Sequence, residues 1–438
     1  MLAHIEPHEL AGTVPAIASK SMAHRIIIAA ALANGVTRVE CNTTCADIEA
    51  TIRCLESLGT NIERDPEGFT VHPLPKSTER GILKALAGNT LNCGESGSTL
   101  RFMLPVACAL GADAVFTGSE RLGQRPLAPL SDELIAAGCD LEGLGAFPLK
   151  TSGRMRAGTF RLPGNVSSQY ISGLLLAAPV LGQPSHIEVT GTLESKPYVD
   201  LTLGVLDSFG INVDVETGAT PGGLPLTVFH VPAQSYRTPG TLHVEGDWSN
   251  AAFWLCAAAL GTHPITVRGV EAASCQGDRN ISAVLMLFGA RGTRNARAAT
   301  IRPERLNAIE LDAHDIPDLV PVIAAVAACA KGTTRITGCA RLRIKESDRL
   351  VATATELSNL GARVRIEGDG LVIEGQPRLA GGRVSSHNDH RIAMMAAVAA
   401  ARCDGPVEIE CAEAVNKSYP DFFEHYRELG GCVELLDE

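Results

Sequence analysis

Six segments of one shape recur along this chain at intervals of about 70 residues: polar residues, an apolar run, then usually glycine. They read "SKSMAHRIIIAAALANG", "ESGSTLRFMLPVACALG", "SSQYISGLLLAAPVLG", "DWSNAAFWLCAAALG", "IPDLVPVIAAVAACAKG" and "NDHRIAMMAAVAAARCDG". A fixed period means repeated supersecondary units, none able to bury its apolar face alone. The runs are apolar on every side, which makes them buried helices. Each unit also carries a second, amphipathic helix that glycine stops, as in "CLESLGTNIE", "VLDSFGINVDV" and "YRELGGCVE". Strand-like pieces such as "HIEVTGTL" and "PITVRGV" separate the two helices. One unit therefore reads βαβαββ, and six copies account for nearly the whole chain.

A single core seldom serves more than ~250–300 residues, and this chain has 438. The expectation is an α/β fold of two domains, each of three units with helices inside and sheets outside. The interruption "YRTPGTLHVEGDWS", with Pro239-Gly240, marks one crossing between them, and the other falls just before Ser19. That gives one domain over 19–238 and another made of 1–18 and 239–438, the N-terminal strand packing with the C-terminal half.

Charge decides what such a molecule can bind. The formal net charge is −11, which argues against nucleic acid; an anionic ligand would need local basic clusters. Such clusters stand at the helix starts: Lys20, Ser21 and Arg25; Gly97, Ser98 and Arg101; Ser167, Ser168 and Gln169; Asp247, Ser249 and Asn250; Asp318; and Asn388, Asp389, His390 and Arg391. If the buried helices run roughly parallel, these starts gather at one end of each domain, and two such ends facing one another make a cleft. Ser, Asn and Asp are ordinary caps. Lys20 and Arg25 are not: a helix start is already positive, and no acid lies near them in sequence. Backbone N–H groups, hydroxyls and cations converging there suit a phosphate or a carboxylate.

Loops add Arg121, Arg125, Lys196, Arg341, Arg343, Lys345, Arg349 and Lys417, enough cations for two multiply charged anions. Glu346 beside Lys345 is either a plain ion pair or a proton carrier tuned by that lysine. Asp318 is either a cap or a base. There is no GxxxxGK[ST] loop and no metal-ligand spacing. Of the scattered histidines only His390 stands at a basic helix start. The chemistry expected is proton transfer on phosphate-bearing small molecules, with no metal and no cofactor.

The thirteen cysteines are odd in number, include no CxxC and lie largely in apolar runs, as reduced core thiols of a cytoplasmic protein do. "MLAHIEPHEL" has acids where a signal peptide needs bases. The longest apolar runs reach about a dozen residues against the ~20 of a membrane span, so no membrane is expected.

Taken in order, these segments resemble the motifs of the 5-enolpyruvylshikimate-3-phosphate synthase family of enolpyruvyl transferases: SKS with Arg25, "ESGSTLRF" around Gly97, "RP" at Arg125, "SSQY" at Ser167, "ESKPYVD" at Glu194, "EGDWSNAAFW" at Glu245, "QGD" at Gln276, "IPD" at Ile316, "KESDR" at Lys345, "NDHRIAM" at Asn388 and "NKSYPDFF" at Asn416. The resemblance spans essentially the full length. It implies two inverse α/β domains, each threefold, closing on shikimate 3-phosphate and phosphoenolpyruvate, which react through a tetrahedral adduct that then loses phosphate. It implies that Ser21 and Arg25 hold the shikimate carboxylate and that Ser167, Ser168 and Ser195 hold its phosphate, with Gln169 and Tyr198 against the same substrate. Lys20, Gly97, Arg125, Gln169, Arg349, His390, Arg391 and Lys417 would surround phosphoenolpyruvate. Asp318 would take the hydroxyl proton, Lys345 would contact that hydroxyl, and Glu346 would serve the methylene carbon. Lys20 would touch both substrates and belong with the catalytic groups. No cofactor and no metal are implied, and a monomer suits a self-contained clamp.

Three positions depart from the family pattern. Ile17-Ala18 replaces the usual Pro-Gly before SKS, Glu95 stands where Asn is frequent, and Arg341 stands where Asn is common. Two rivals differ in readable ways. The sister enzyme acting on UDP-N-acetylglucosamine usually has a loop cysteine just before its arginine, and "GSERLGQRP" has none. A non-catalytic phosphosugar-binding protein should have lost Asp318, Glu346 or Lys345, and all three are present.

Overall fold

The computed structural model describes residues 1–75 and 89–437. The chain divides into two compact units, Ala18–Val244 and a composite of Met1–Ile17 with Glu245–Glu438. Each has its own apolar core.

Ala18–Val244 carries helices α1 (Lys20–Leu32), α2 (Ala46–Ser57), α3 (Gly97–Leu110), α4 (Glu120–Gln124), α5 (Leu130–Ala136), α6 (Ser168–Ala177) and α7 (Lys196–Ser208). The composite unit carries α8 (Trp248–Leu260), α9 (Ile281–Phe288), α10 (Val320–Ala328), α11 (Arg349–Asn359), α12 (His390–Ala399) and α13 (Phe422–Glu428). The six all-apolar runs are α1, α3, α6, α8, α10 and α12. Every residue of α8, α10 and α12 is buried, because beyond the first turn, where α8 has Ser249 and Asn250 and α12 has His390 and Arg391, no face of these helices has polar side chains to offer water. The second helices are two-faced: in α2, Ile48, Ile52 and Leu55 face the core while Glu49 and Arg53 do not.

The sheets show the repeat most directly. Among the described residues there are six four-stranded sheets, and in each the pairings run parallel, antiparallel, antiparallel. The fold is thus the twofold-threefold α/β architecture expected from the sequence. One feature is absent from the sequence pattern. The strand before α8, Thr241–His243, runs parallel to Thr37–Glu40, which follows α1. The strand before α1, Gly12–Pro15, runs parallel to Ile265–Arg268, which follows α8. The two strands at the crossings are exchanged between repeats, so the division falls after Thr241–His243, at 244/245, rather than at Pro239-Gly240. Leu2–Glu6 completes the sheet of the last repeat, between Val407–Glu410 and Cys432–Leu436.

No helix among the described residues is long and apolar enough to cross a membrane. All thirteen cysteines are free thiols.

Candidate active site

The predicted residues fall into two groups, one in each unit. In Ala18–Val244 they gather at the starts of α1, α3, α6 and α7. Ser19 caps α1, its hydroxyl accepting from Met22 N. Lys20 follows, and its Nζ lies 3.0 Å from Asp47 Oδ2, in the first turn of α2. The acid that the sequence near Lys20 lacks is thus supplied from the next helix.

Arg25, one turn deeper, is 2% exposed. Its Nε donates to Thr202 Oγ1 (2.7 Å), its Nη1 to the Ser21 carbonyl (2.5 Å), and its Nη2 to Ser172 Oγ (3.2 Å) and the Tyr198 carbonyl (3.0 Å). The guanidinium lies 4.8 Å from the centre of the Phe102 ring. Each partner is neutral, and burial pushes Arg25 down to about 10. Ser21, half-buried, shares this neighbourhood through its carbonyl, and Tyr198 through its own.

The starts of α3 and α6 meet. Gln169 Nε2 donates to Ser98 Oγ (2.9 Å), and Arg101 Nη1 donates to Gln169 Oε1 (2.9 Å). A Cβ at Gly97 would come within 2.6 Å of Arg101 Nη1 and 2.7 Å of Arg125 Nη1, so glycine is what lets two guanidiniums approach that backbone. Tyr170 OH donates to the Pro126 carbonyl (2.5 Å), tying the Arg125 loop to α6. Ser167 caps α6 and Ser168 is buried at its first position. Ser195 precedes α7 with a left-handed backbone, φ 53°, and is buried. Lys196 instead points outward and pairs with Asp200 (2.7 Å).

In the composite unit the centre is Asp318. Its Oδ1 accepts from Arg349 Nη1 (2.8 Å) and lies 3.2 Å from Lys345 Nζ; its Oδ2 is 3.4 Å from Arg391 Nη2, and its carbonyl accepts from Arg391 Nη1 (3.1 Å). Burial alone would raise this carboxyl, but Arg391, Lys345 and Arg349 together hold it well below the usual carboxylate range. Arg349, 1% exposed, also donates to Glu346 (2.5 Å) and to both oxygens of Asp389 (2.9 and 3.2 Å). Asp389 is itself the cap of α12, accepting from Arg391 N (3.0 Å), and receives Ser347 Oγ (3.0 Å). One carboxylate thus fixes the KESDR turn to the start of α12. Buried His390 stands beside it, 3.8 Å from Asp389 Oδ1. Lys417 donates to the carbonyl of Asn388, one of two consecutive residues with positive φ before α12.

Lys345 is pushed down to about 8: burial dominates, Arg349 and Arg341 add to it, and Asp318 and Glu346 oppose it. Asp278 is pushed up to about 6 by burial and by Asp318 nearby, against Arg391 and a hydrogen bond from Ser249. Among the described residues no group of His, Cys, Asp or Glu has a metal-holding arrangement.

Arg101, Asp47, Ser172, Thr202 and Asp389 complete these arrangements without having been singled out as ligand contacts. Arg101 and Asp389 already stood at helix starts in the sequence. Asp47, Ser172 and Thr202 carried no signal, since each meets its partner only through packing of helices 27 to 177 residues apart.

Residues 5–426 match the family model described as EPSP synthase (3-phosphoshikimate 1-carboxyvinyltransferase). The 3-phosphoshikimate 1-carboxyvinyltransferase of Clostridium kluyveri is 40% identical over 431 residues, covering 98% of this chain and 97% of the relative. That of Clostridium acetobutylicum is 40% identical over 433 residues, covering 98% and 97%. The EPSP synthase structure from Acinetobacter baumannii aligns with a TM-score of 0.80 at 27% identity, covering all of both chains.

Proposed function

The chain belongs to the EPSP synthase family, and from that premise we propose how its residues divide the work. The reaction is transfer of the enolpyruvyl group of phosphoenolpyruvate to the 5-hydroxyl of shikimate 3-phosphate with release of phosphate, a step of the shikimate pathway. Ser21 and Arg25 hold the shikimate carboxylate; Ser167, Ser168 and Ser195, at the starts of α6 and α7, hold its phosphate, where helix N–H groups favour an anion. Gln169 and Tyr198 pack against the same substrate. Lys20, Gly97, Arg125, Gln169, Arg349, His390, Arg391 and Lys417 serve phosphoenolpyruvate.

The observation that carries the chemical assignment is the cation ring around Asp318. Alone, the carboxylate is over-stabilised and weakly basic. An anionic substrate that draws Arg391 and Lys345 away removes part of that stabilisation and raises its basicity as the hydroxyl arrives. Arg349, braced by Asp389 and Glu346, stays in place. Asp318 takes the hydroxyl proton as oxygen attacks the enol carbon, while Glu346 delivers a proton to the methylene carbon. The tetrahedral adduct then returns that proton and expels phosphate. Lys345 contacts the reacting hydroxyl, and Lys20 touches both substrates. The free thiols support a cytoplasmic setting, and the state proposed is a monomer.

The test is phosphate release from the purified protein given both substrates without added metal. Release that requires both is expected. Release with UDP-N-acetylglucosamine instead of shikimate 3-phosphate, or none with the proper pair, overturns the reading.

A further inference from the structure

We propose that a buried hydrogen-bond chain, His24–Thr51–Thr99–Ser96, is the positioning device that sets the starts of α1, α2 and α3 against one another and thereby places Lys20 and Gly97 for phosphoenolpyruvate. This rests on the assignment of those two residues made above.

His24 Nδ1 lies 2.7 Å from Thr51 Oγ1, and Thr51 Oγ1 lies 2.8 Å from Thr99 Oγ1. The Thr99 hydroxyl faces Ser96 Oγ (2.8 Å) and the Asp47 carbonyl (3.3 Å) as a donor. The four side chains are at most 1% exposed. With Thr99 donating toward Ser96, Thr51 donates to Thr99 and His24 Nδ1–H donates to Thr51. That leaves His24 Nε2 as a bare lone pair, and it has no partner. The imidazole is neutral, since burial, Lys20 and Arg25 all oppose its protonation.

The placement of the chain gives it leverage. His24 is one turn beyond Lys20 on α1, and Thr51 is one turn beyond Asp47 on α2. The Lys20–Asp47 pair and the His24–Thr51 bond are therefore two ties between the same helices, a turn apart. Ser96 is the cap of α3, accepting from Thr99 N (3.2 Å), and Gly97 is its next residue. Apolar side chains would fill this volume at least as cheaply, because buried polar groups contribute little net stability. They would not fix the sliding of three smooth helices, which directional bonds do. An error of about 1 Å in such placement can cost on the order of 10²-fold in rate.

The experiment compares Thr99→Val, Thr51→Val, Thr99→Ser and a control, Thr151→Val. Thr151 is a buried threonine of the same unit whose hydroxyl donates to the Ala112 carbonyl (3.1 Å), outside the chain. The expected result is a KM for phosphoenolpyruvate raised about tenfold in both Thr99→Val and Thr51→Val. The KM for shikimate 3-phosphate should change less, because Arg25 is tied separately to Ser172 of α6 and to Tyr198 and Thr202 of α7; Thr99→Ser should restore the phosphoenolpyruvate KM, and Thr151→Val should lose stability without that change. Unchanged KM in the two valine variants, or an equal rise in both KM values, overturns the proposal. Gly97→Ala separates this from the underlying assignment: if it leaves the phosphoenolpyruvate KM alone, the assignment of Gly97 falls. If it raises KM while the valine variants do not, only the positioning chain falls.

Discussion

Arg25 and Arg349 are both buried guanidiniums at helix starts, and they are satisfied in opposite ways. Arg349 meets three carboxylates, Asp318, Glu346 and Asp389, whose charges outweigh burial and hold it above its ordinary range. Arg25 meets two hydroxyls, two carbonyls and an aromatic face, and burial pushes it down. Burying an unpaired ion is expensive. The protein itself offsets that cost at Arg349, and the charge there organises other charges. At Arg25 dipoles orient the group but leave its charge unanswered, which is the arrangement expected where the counter-ion arrives as ligand.

The largest effect that sharpens this contrast is Arg349→Met. It strands Asp389 and Glu346 and removes one of three cations from Asp318. Breaking a buried pair costs about 3–5 kcal/mol, so the denaturation midpoint should fall steeply and turnover should vanish. Next comes Glu346→Gln, which keeps shape and removes only the titrating oxygen. Turnover should drop by about 10²–10⁴, with shikimate 3-phosphate binding by calorimetry nearly intact; an unchanged rate would remove Glu346 from proton transfer. Third is Arg25→Met. The dissociation constant for shikimate 3-phosphate should rise about 10- to 100-fold, the worth of a charge-assisted contact of ~1.5–3 kcal/mol, with a smaller loss of stability than in Arg349→Met. Equal stability losses in the two arginine variants would erase the distinction between organiser and receptor.

The sequence made the contrast only half visible. The sixfold period, the buried helices and the polar starts are local patterns, readable because glycine stops and all-apolar runs are local chemistry. That Lys20 and Arg25 had no nearby acid was equally readable. That Lys20 finds Asp47 while Arg25 finds only Thr202, Ser172 and carbonyls depends on which helices lie side by side, and no short-range signal encodes that. The exchange of Gly12–Pro15 and Thr241–His243 between repeats is hidden for the same reason: each strand has an ordinary composition, and only its pairing is unusual. Asp389 looked like a cap and is one, yet it is also a main anchor of Arg349.

The smallest effect tests whether the organised side can be tuned by a single outlying charge. Arg341 lies on the short turn Ala340–Ile344 just before Lys345 and helps push that lysine down to about 8, after burial and Arg349. Lys345 is needed as an ammonium if it contacts the reacting hydroxyl as a donor. Since that proton leaves as pH rises through about 8 in the free enzyme, kcat/KM should decline on the alkaline side there. Arg341→Asn removes a like charge, so the lysine holds its proton to higher pH and the alkaline limb should move upward, by less than about one unit. The acid limb, set by carboxylates, should stay where it is. A pH–rate profile from 6 to 10 on both proteins reads this directly. If the alkaline limb does not move, it belongs to a group other than Lys345, and the basic cluster around Asp318 is then governed by burial and by its own three cations alone.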